Sequence, residues 1–200
     1  KQGGRSIIGT GTLKGKVLAA LPFEPTNSQI LALQEITKDM SSNGRMHRLL
    51  QGDVGSGKTL VAVLSMLHAV ESGAQAALLA PTEILARQHL ATIEPLAAAA
   101  GINVTLLTGR DKGGKRSSIY DGIANGNSDI IIGTHAIFQE NVNFKNLIFV
   151  VMDEQHRFGV HQRLALTSKG QNVDILVMTA TPIPRTLTLT AYGDMEISRL

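Results

Sequence analysis

The sequence predicts an α/β domain with a mostly parallel central sheet and helices on both faces. Three observations carry this expectation. Short apolar runs alternate along the chain with stretches of helical spacing, the pattern of strand–helix–strand crossovers. One run, Arg48-Leu49-Leu50-Gln51, leads into Gly52-Asp53-Val54-Gly55-Ser56-Gly57-Lys58-Thr59 and then into the helix-forming Leu60–Leu67. Almost every other run also ends in a polar cluster, as expected where a parallel sheet places a site at the carboxyl ends of its strands.

The elements follow in order. Residues 1–20 are rich in glycine and read as a linker or the tail of an upstream domain; residues 21–200 form the domain. Thr26 or Asn27 is a suitable N-cap for a helix over Ser28–Met40, with Ile30, Leu33, Ile36 and Met40 at helical spacing. Asn43-Gly44 turns the chain into the first strand. After the Leu60–Leu67 helix, Glu71-Ser72-Gly73 is a stop. Ala76–Ala80 is a buried strand. Thr82 caps a helix that runs to Gly101, with Pro95 as its expected break. Ile102–Leu107 is a third strand, followed by a basic, Gly-rich loop from Thr108 to Arg116 and a weak helix over Ser117–Ala124. Further strands cover Asp129–Gly133, Leu147–Met152 and Asp174–Met178, the last clear one.

Composition bounds the chemistry. The 200 residues suffice for one large α/β domain, and 43% hydrophobic with 18% charged residues is a globular balance. A net charge of +3 is compatible with a polyanionic partner without requiring one. With no cysteine there is no disulfide, thiolate metal site or cysteine nucleophile. Aromatic residues are 4% with no Trp, which argues against a platform that stacks many bases. No apolar run is long enough to span a membrane, so no membrane partner is expected. The start, without Met or signal-peptide core, suggests a piece of a longer chain.

The Gly52–Thr59 stretch has the phosphate-binding-loop pattern in the strand–loop–helix context it needs. Gly52, Gly55 and Gly57 clear space for backbone N–H groups to reach phosphate oxygens, and the following helix adds its positive end. Ser56 lies within the loop, Lys58 suits the β- and γ-phosphates, and the Thr59 hydroxyl suits Mg²⁺. The second chemical element is Asp153-Glu154, two carboxylates delivered by an apolar strand. Asp153 suits a Mg²⁺ shell and Glu154 the base that orients water. His156 and His161 are five apart, the wrong spacing for a zinc pair on a helix, so no histidine metal site is expected.

Taken together, these residues resemble the first motor domain of superfamily 2 helicases, and more narrowly the bacterial DNA branch-migration helicases. The resemblance rests on Leu49–Thr59, Ala80–Ala86, Gly133–Ala136, Asp153-Glu154-Gln155-His156-Arg157-Phe158-Gly159-Val160 and Met178–Leu187. It implies a three-layer RecA-like P-loop NTPase domain that uses ATP and Mg²⁺. It further implies that Gln29 reads adenine with Phe23 against its ring. Pro81-Thr82, Gly109-Arg110 and Thr134-His135 would contact a nucleic-acid backbone. Thr179 and Thr181, with Gln155 and His156, would couple that contact to hydrolysis. Branched DNA, a second RecA-like lobe and a wedge domain of the same chain are the implied partners, in a cytoplasmic, nucleoid-associated monomer. Pro25, Arg87 and Arg110 depart from the family pattern. An RNA helicase, a P-loop kinase and a non-catalytic nucleotide-binding module are the alternative readings.

Overall fold

In the computed structural model, residues 6–153, 169, 172–182 and 195–200 are described. Seven strands form one parallel sheet in the order β3-β4-β2-β5-β6-β1-β7. They are β1 (His47–Gln51), β2 (Gln75–Leu79), β3 (Val104–Leu107), β4 (Ile130–Gly133), β5 (Leu147–Asp153), β6 (Asp174–Thr179) and β7 (Glu196–Arg199). The helices are α1 (Thr12–Ala20), α2 (Asn27–Met40), α3 (Lys58–Glu71), α4 (Glu83–Ala99) and α5 (Gly113–Asn125). The expected α/β architecture is present.

Side chains alternate across a strand, so each buried strand feeds two cores. Leu78, Ile130, Ile132, Phe149, Val151 and Met178 join a core with α1 to α4. Leu79, Ile131, Val150, Met152 and Val177 join a second core with Ile123 of α5. Burial on both faces explains why these strands read as continuous apolar runs.

Six expected strands are found and a seventh was missed. β7 is short, polar and at the sheet edge, so it carries little apolar signal. It is held by its register against β1, from Arg48↔Glu196 to Gln51↔Arg199, and by a buried arginine. Arg48 reaches Asp39 of α2 at 2.7 Å and Ser198 of β7 at 3.0 Å, while Ser198 also bonds Glu35.

Two other expectations are corrected. α4 runs unbroken through Pro95. Ile93 and Ala97 anchor it in the core, whereas Pro95 and Ala91, whose carbonyl loses its helical partner, are exposed and accessible to water. α5 begins at Gly113, four residues before the expected start, so Lys115 and Arg116 lie on a helix rather than in a loop. Arg116 holds that first turn down: it donates to the Tyr120 hydroxyl at 2.6 Å and to Gln139.

Within residues 1–20, α1 packs against α3 and α4 with Val17 fully buried, and Ile7 donates its N–H to Met40 at 2.8 Å. No side chain of its own caps α1. The Glu71 carboxylate, from the end of α3, accepts the N–H groups of Gly11 at 2.7 Å, Leu13 and Lys14. A carboxylate at a helix N-terminus satisfies orphan donors and meets the positive end of the dipole. Glu71→Ala is expected to cost about 1–2 kcal/mol and to speed hydrogen exchange at residues 11–14. Unchanged exchange there would show that α1 docks without this cap.

Candidate functional site

The site is built along the carboxyl edge of the sheet, and the strand order divides it in two. β1, β6 and β5 are neighbours, as are β2, β4 and β3. The first trio ends in the Gly52–Thr59 loop, Thr179–Pro182 and Asp153. The second ends in Pro81-Thr82, Thr134-His135 and Thr108–Arg110.

In the first half, the Gly52 N–H donates to the Thr179 carbonyl at 3.1 Å, which fixes the loop's start to β6. Gly57 has φ 83°, and a Cβ there would lie 2.2 Å from Gln29 Nε2. A Cβ on Gly52 would lie 2.5 Å from the Ser56 hydroxyl. These two positions admit glycine and little else. Lys58 Nζ donates to the Gly52 carbonyl at 2.6 Å and the Asp53 carbonyl at 2.9 Å, so the ammonium sits over its own loop. Burial lowers the Lys58 pKa, and the negative charges of Asp153 and Asp53 oppose that shift.

Gln29 is buried, and both ends of its amide are engaged. Its Oε1 accepts the Thr26 N–H at 3.0 Å, completing a capping box with the Thr26 side chain, and its Nε2 donates to the Ser56 carbonyl at 2.8 Å. It thus joins the start of α2 to the loop. Phe23 is 55% exposed beside this segment, a large ring free to meet a ligand.

Asp153 ends β5, and its Oδ2 lies 2.7 Å from Nε2 of His89 on α4. Sequence reasoning missed His89: it is a single histidine whose partner lies 64 residues away. Glu154, Gln155 and His156 lie outside the described residues. Thr179 is buried and its hydroxyl accepts the Thr181 N–H at 3.1 Å, while Thr181 is exposed and its carbonyl accepts from Gln51 Nε2 at 3.4 Å. The two threonines therefore sit directly against the loop strand.

The donor set fits a Mg-nucleotide. The Ser56 hydroxyl is buried with no partner among the described residues, inside a loop opened by glycines. The Thr59 hydroxyl and the Asp153 carboxylate are hard oxygen donors. Among the described residues no group of three or more His, Cys, Asp or Glu could hold a metal. Mg²⁺ takes one or two protein oxygens and completes its shell with phosphates and water, a role the Thr59 and Asp153 oxygens can fill.

In the second half, Thr82 caps α4, its hydroxyl accepting the Leu85 N–H at 3.3 Å, and remains exposed. Gly109, Arg110 and His135 are exposed; Pro81 is half-buried and Thr134 buried. Arg110, 83% exposed at its side chain, pairs with Glu83 Oε2 at 3.1 Å, and Arg87 pairs with Glu83 Oε1 at 2.9 Å. Two departures from the expected pattern thus meet on one carboxylate at the start of α4. The turn beneath them is held by Asp111, which accepts the Thr108 N–H at 3.0 Å and pairs with Lys115 at 3.0 Å. Burial pushes the Asp111 carboxyl up, but those two partners outweigh it and the net shift is down.

Comparison with known proteins identifies the family. The chain is 55% identical to the ATP-dependent DNA helicase RecG of Escherichia coli K12 over 94% of its length and 28% of that protein. It is 52% identical to the RecG of Bacillus subtilis, over 92% of the chain and 27% of that protein. The structure of RecG bound to a three-way DNA junction superposes with a TM-score of 0.88 at 46% identity, covering 98% of this chain and 26% of that one. The chain therefore spans little more than a quarter of the length of these relatives. No helix among the described residues is long and apolar enough to cross a membrane. Residues 26–190 match the DEAD/DEAH box helicase family from the α2 cap to beyond Thr181, and the chain belongs to that family.

Proposed function

We propose that this chain, as residues 21–200, is the first motor lobe of an ATP-dependent DNA helicase that acts on branched DNA in recombination and repair. One observation carries the reading: the phosphate-loop residues and the Asp153 carboxylate end one half of the sheet, and Pro81-Thr82, Thr134-His135 and Gly109-Arg110 end the other. Its relatives, the ATP-dependent DNA helicase RecG and the RecG bound to a three-way DNA junction, support the substrate class.

In this reading the loop N–H groups and Lys58 bind the triphosphate, with Lys58 turning from its own carbonyls to phosphate oxygen. Gln29 and Phe23 border the base. Thr59 and Asp153 hold Mg²⁺, which supplies charge neutralisation at the phosphates. Glu154 takes the proton from the attacking water. Pro81, Thr82, Gly109, Arg110, Thr134 and His135 meet the DNA backbone, which needs hydroxyls, N–H groups and arginines rather than base readers. Gln155, His156, Thr179 and Thr181 link the halves. A second RecA-like lobe supplies an arginine, and a wedge domain engages the branch point, in a monomer of the cytoplasm.

In the full-length protein, Glu154→Gln is expected to lower turnover by at least about 10² while nucleotide affinity stays near wild type. Unchanged turnover would remove Glu154 as the base. Stimulation of the wild-type ATPase by branched DNA should exceed that by RNA; the reverse order would overturn the substrate assignment. The 200-residue chain alone should bind ATP weakly and hydrolyse it slower than the full-length protein by on the order of 10³ or more, the share an arginine finger contributes in related enzymes. Fast DNA-stimulated turnover by the isolated chain would refute the need for a second lobe.

A further inference from the structure

His89 makes a side-chain contact that joins the two halves of the site. It projects from α4, which begins at the Pro81-Thr82 cluster after β2, and it meets Asp153 at the end of β5. β2 and β5 are paired neighbours, with Leu79 opposite Met152, so this is the seam between the two trios of strands. The contact is 2.7 Å, with the His89 side chain 12% exposed and that of Asp153 16% exposed. Shielding from water makes such a contact stronger and more directional than a surface pair.

We infer that His89 is a positioning residue for Asp153, and that α4 is a rigid rod through which a nucleic-acid backbone at Pro81-Thr82 adjusts the metal-binding carboxylate. The inference rests on the function proposed above. Nε2–H donates to Oδ2, which fixes the carboxylate rotamer and leaves Oδ1 as the oxygen for the ion. The rod is short and well anchored. His89 lies seven residues after Thr82, about 10 Å along a helix axis, and Ala86, Ile93 and Ala97 are fully buried beneath it. A shift of the exposed α4 start therefore moves the imidazole with it, because a packed helix transmits displacement rather than absorbing it. This path runs through β2 and α4, separate from the one through Thr179, Gln155 and His156. Hydrogen bonds that orient metal-binding carboxylates are commonly worth 10–100-fold in metal affinity or activity.

The test uses the full-length protein with His89→Ala and His89→Gln, since a glutamine amide can reach the position of Nε2. A fluorescent ATP analogue is titrated with Mg²⁺ and with EDTA, and ATPase is measured with and without branched DNA. For His89→Ala, affinity in EDTA should match wild type. The affinity gained on adding Mg²⁺ should fall by about 10-fold or more, and the DNA-stimulated to basal ratio should fall with it. His89→Gln should recover most of both. The inference is overturned if the alanine variant keeps the Mg²⁺ gain and the DNA stimulation. It is equally overturned if that variant loses affinity in EDTA as well, or if glutamine behaves like alanine, since either result marks a purely structural contact. A wild-type protein without DNA-stimulated turnover would instead defeat the proposed function, and the Mg²⁺ arm would still test the His89–Asp153 pairing.

Discussion

Lys58→Ala in the full-length protein is expected to lower ATP turnover by at least about 10², the scale of losing one preorganised donor at a developing charge. Nucleotide affinity should fall by roughly 10–100-fold, as for the loss of a charge-assisted hydrogen bond. The physical case is local. Lys58 is the ammonium held over the phosphate loop, partly desolvated and facing Asp153 and Asp53. Its removal leaves the Gly52 carbonyl without this donor and the Asp53 carbonyl with the Ser56 N–H, and it leaves the loop with amides alone. Equilibrium binding and single-turnover hydrolysis separate the two effects. Turnover near wild type would mean that Lys58 serves only to brace the loop.

The second large effect concerns stability and pH. Asp174, at the start of β6, is 1% exposed. Its Oδ1 accepts the Met46 N–H at 2.7 Å, but its Oδ2 is buried with no partner among the described residues. Burial raises its pKa to about 7 from 3.8, opposed by the Met46 hydrogen bond and the Arg45 charge. Below about pH 4 both folded and unfolded chains carry the proton, and stability is at its fullest. Between about pH 4 and 7 the unfolded chain gives it up first, so stability falls as pH rises; above about 7 the cost is constant. The full span is on the order of a few kcal/mol. Asp174→Asn keeps the acceptor for Met46 and carries no charge at any pH. It should match wild type in acid and melt roughly 5 °C or more above it at pH 8. Parallel pH profiles for the two chains would show that the Asp174 charge is met in the folded state.

What the sequence disclosed, and what it did not, divides by the range of the interactions. The six apolar strands and the phosphate loop were legible because their signals are local: a buried strand is a run of Val, Ile and Leu, and a phosphate loop is a fixed spacing of glycines. β7 was not, because Ser198 and Arg199 take their place through Arg48 and a register with β1 some 150 residues away. α1 was hidden by its glycines and is capped by Glu71, 60 residues on from Gly11. Within the site, Gln29 and Asp153 were singled out from their motifs. Their partners were not: the Ser56 carbonyl and the His89 ring meet them only in the folded chain. Arg87 and Arg110 stood out in sequence as departures, yet nothing local indicates that both fall on Glu83.

The strand order has a consequence for how the domain is made. β1, which launches the phosphate loop, pairs with β6 and β7 and with no other strand. Residues 52–173, 122 of them, lie between the end of β1 and the start of β6. At a synthesis rate of about 5–20 residues per second, β1 waits roughly 6–25 s for its first neighbour. β2, β3 and β4 are all synthesised during that time, so the trio that ends in Pro81-Thr82, Thr108–Arg110 and Thr134-His135 can pair on the ribosome before β1 has a neighbour. The phosphate loop, near the front of the sequence, is among the last parts of the domain to take shape.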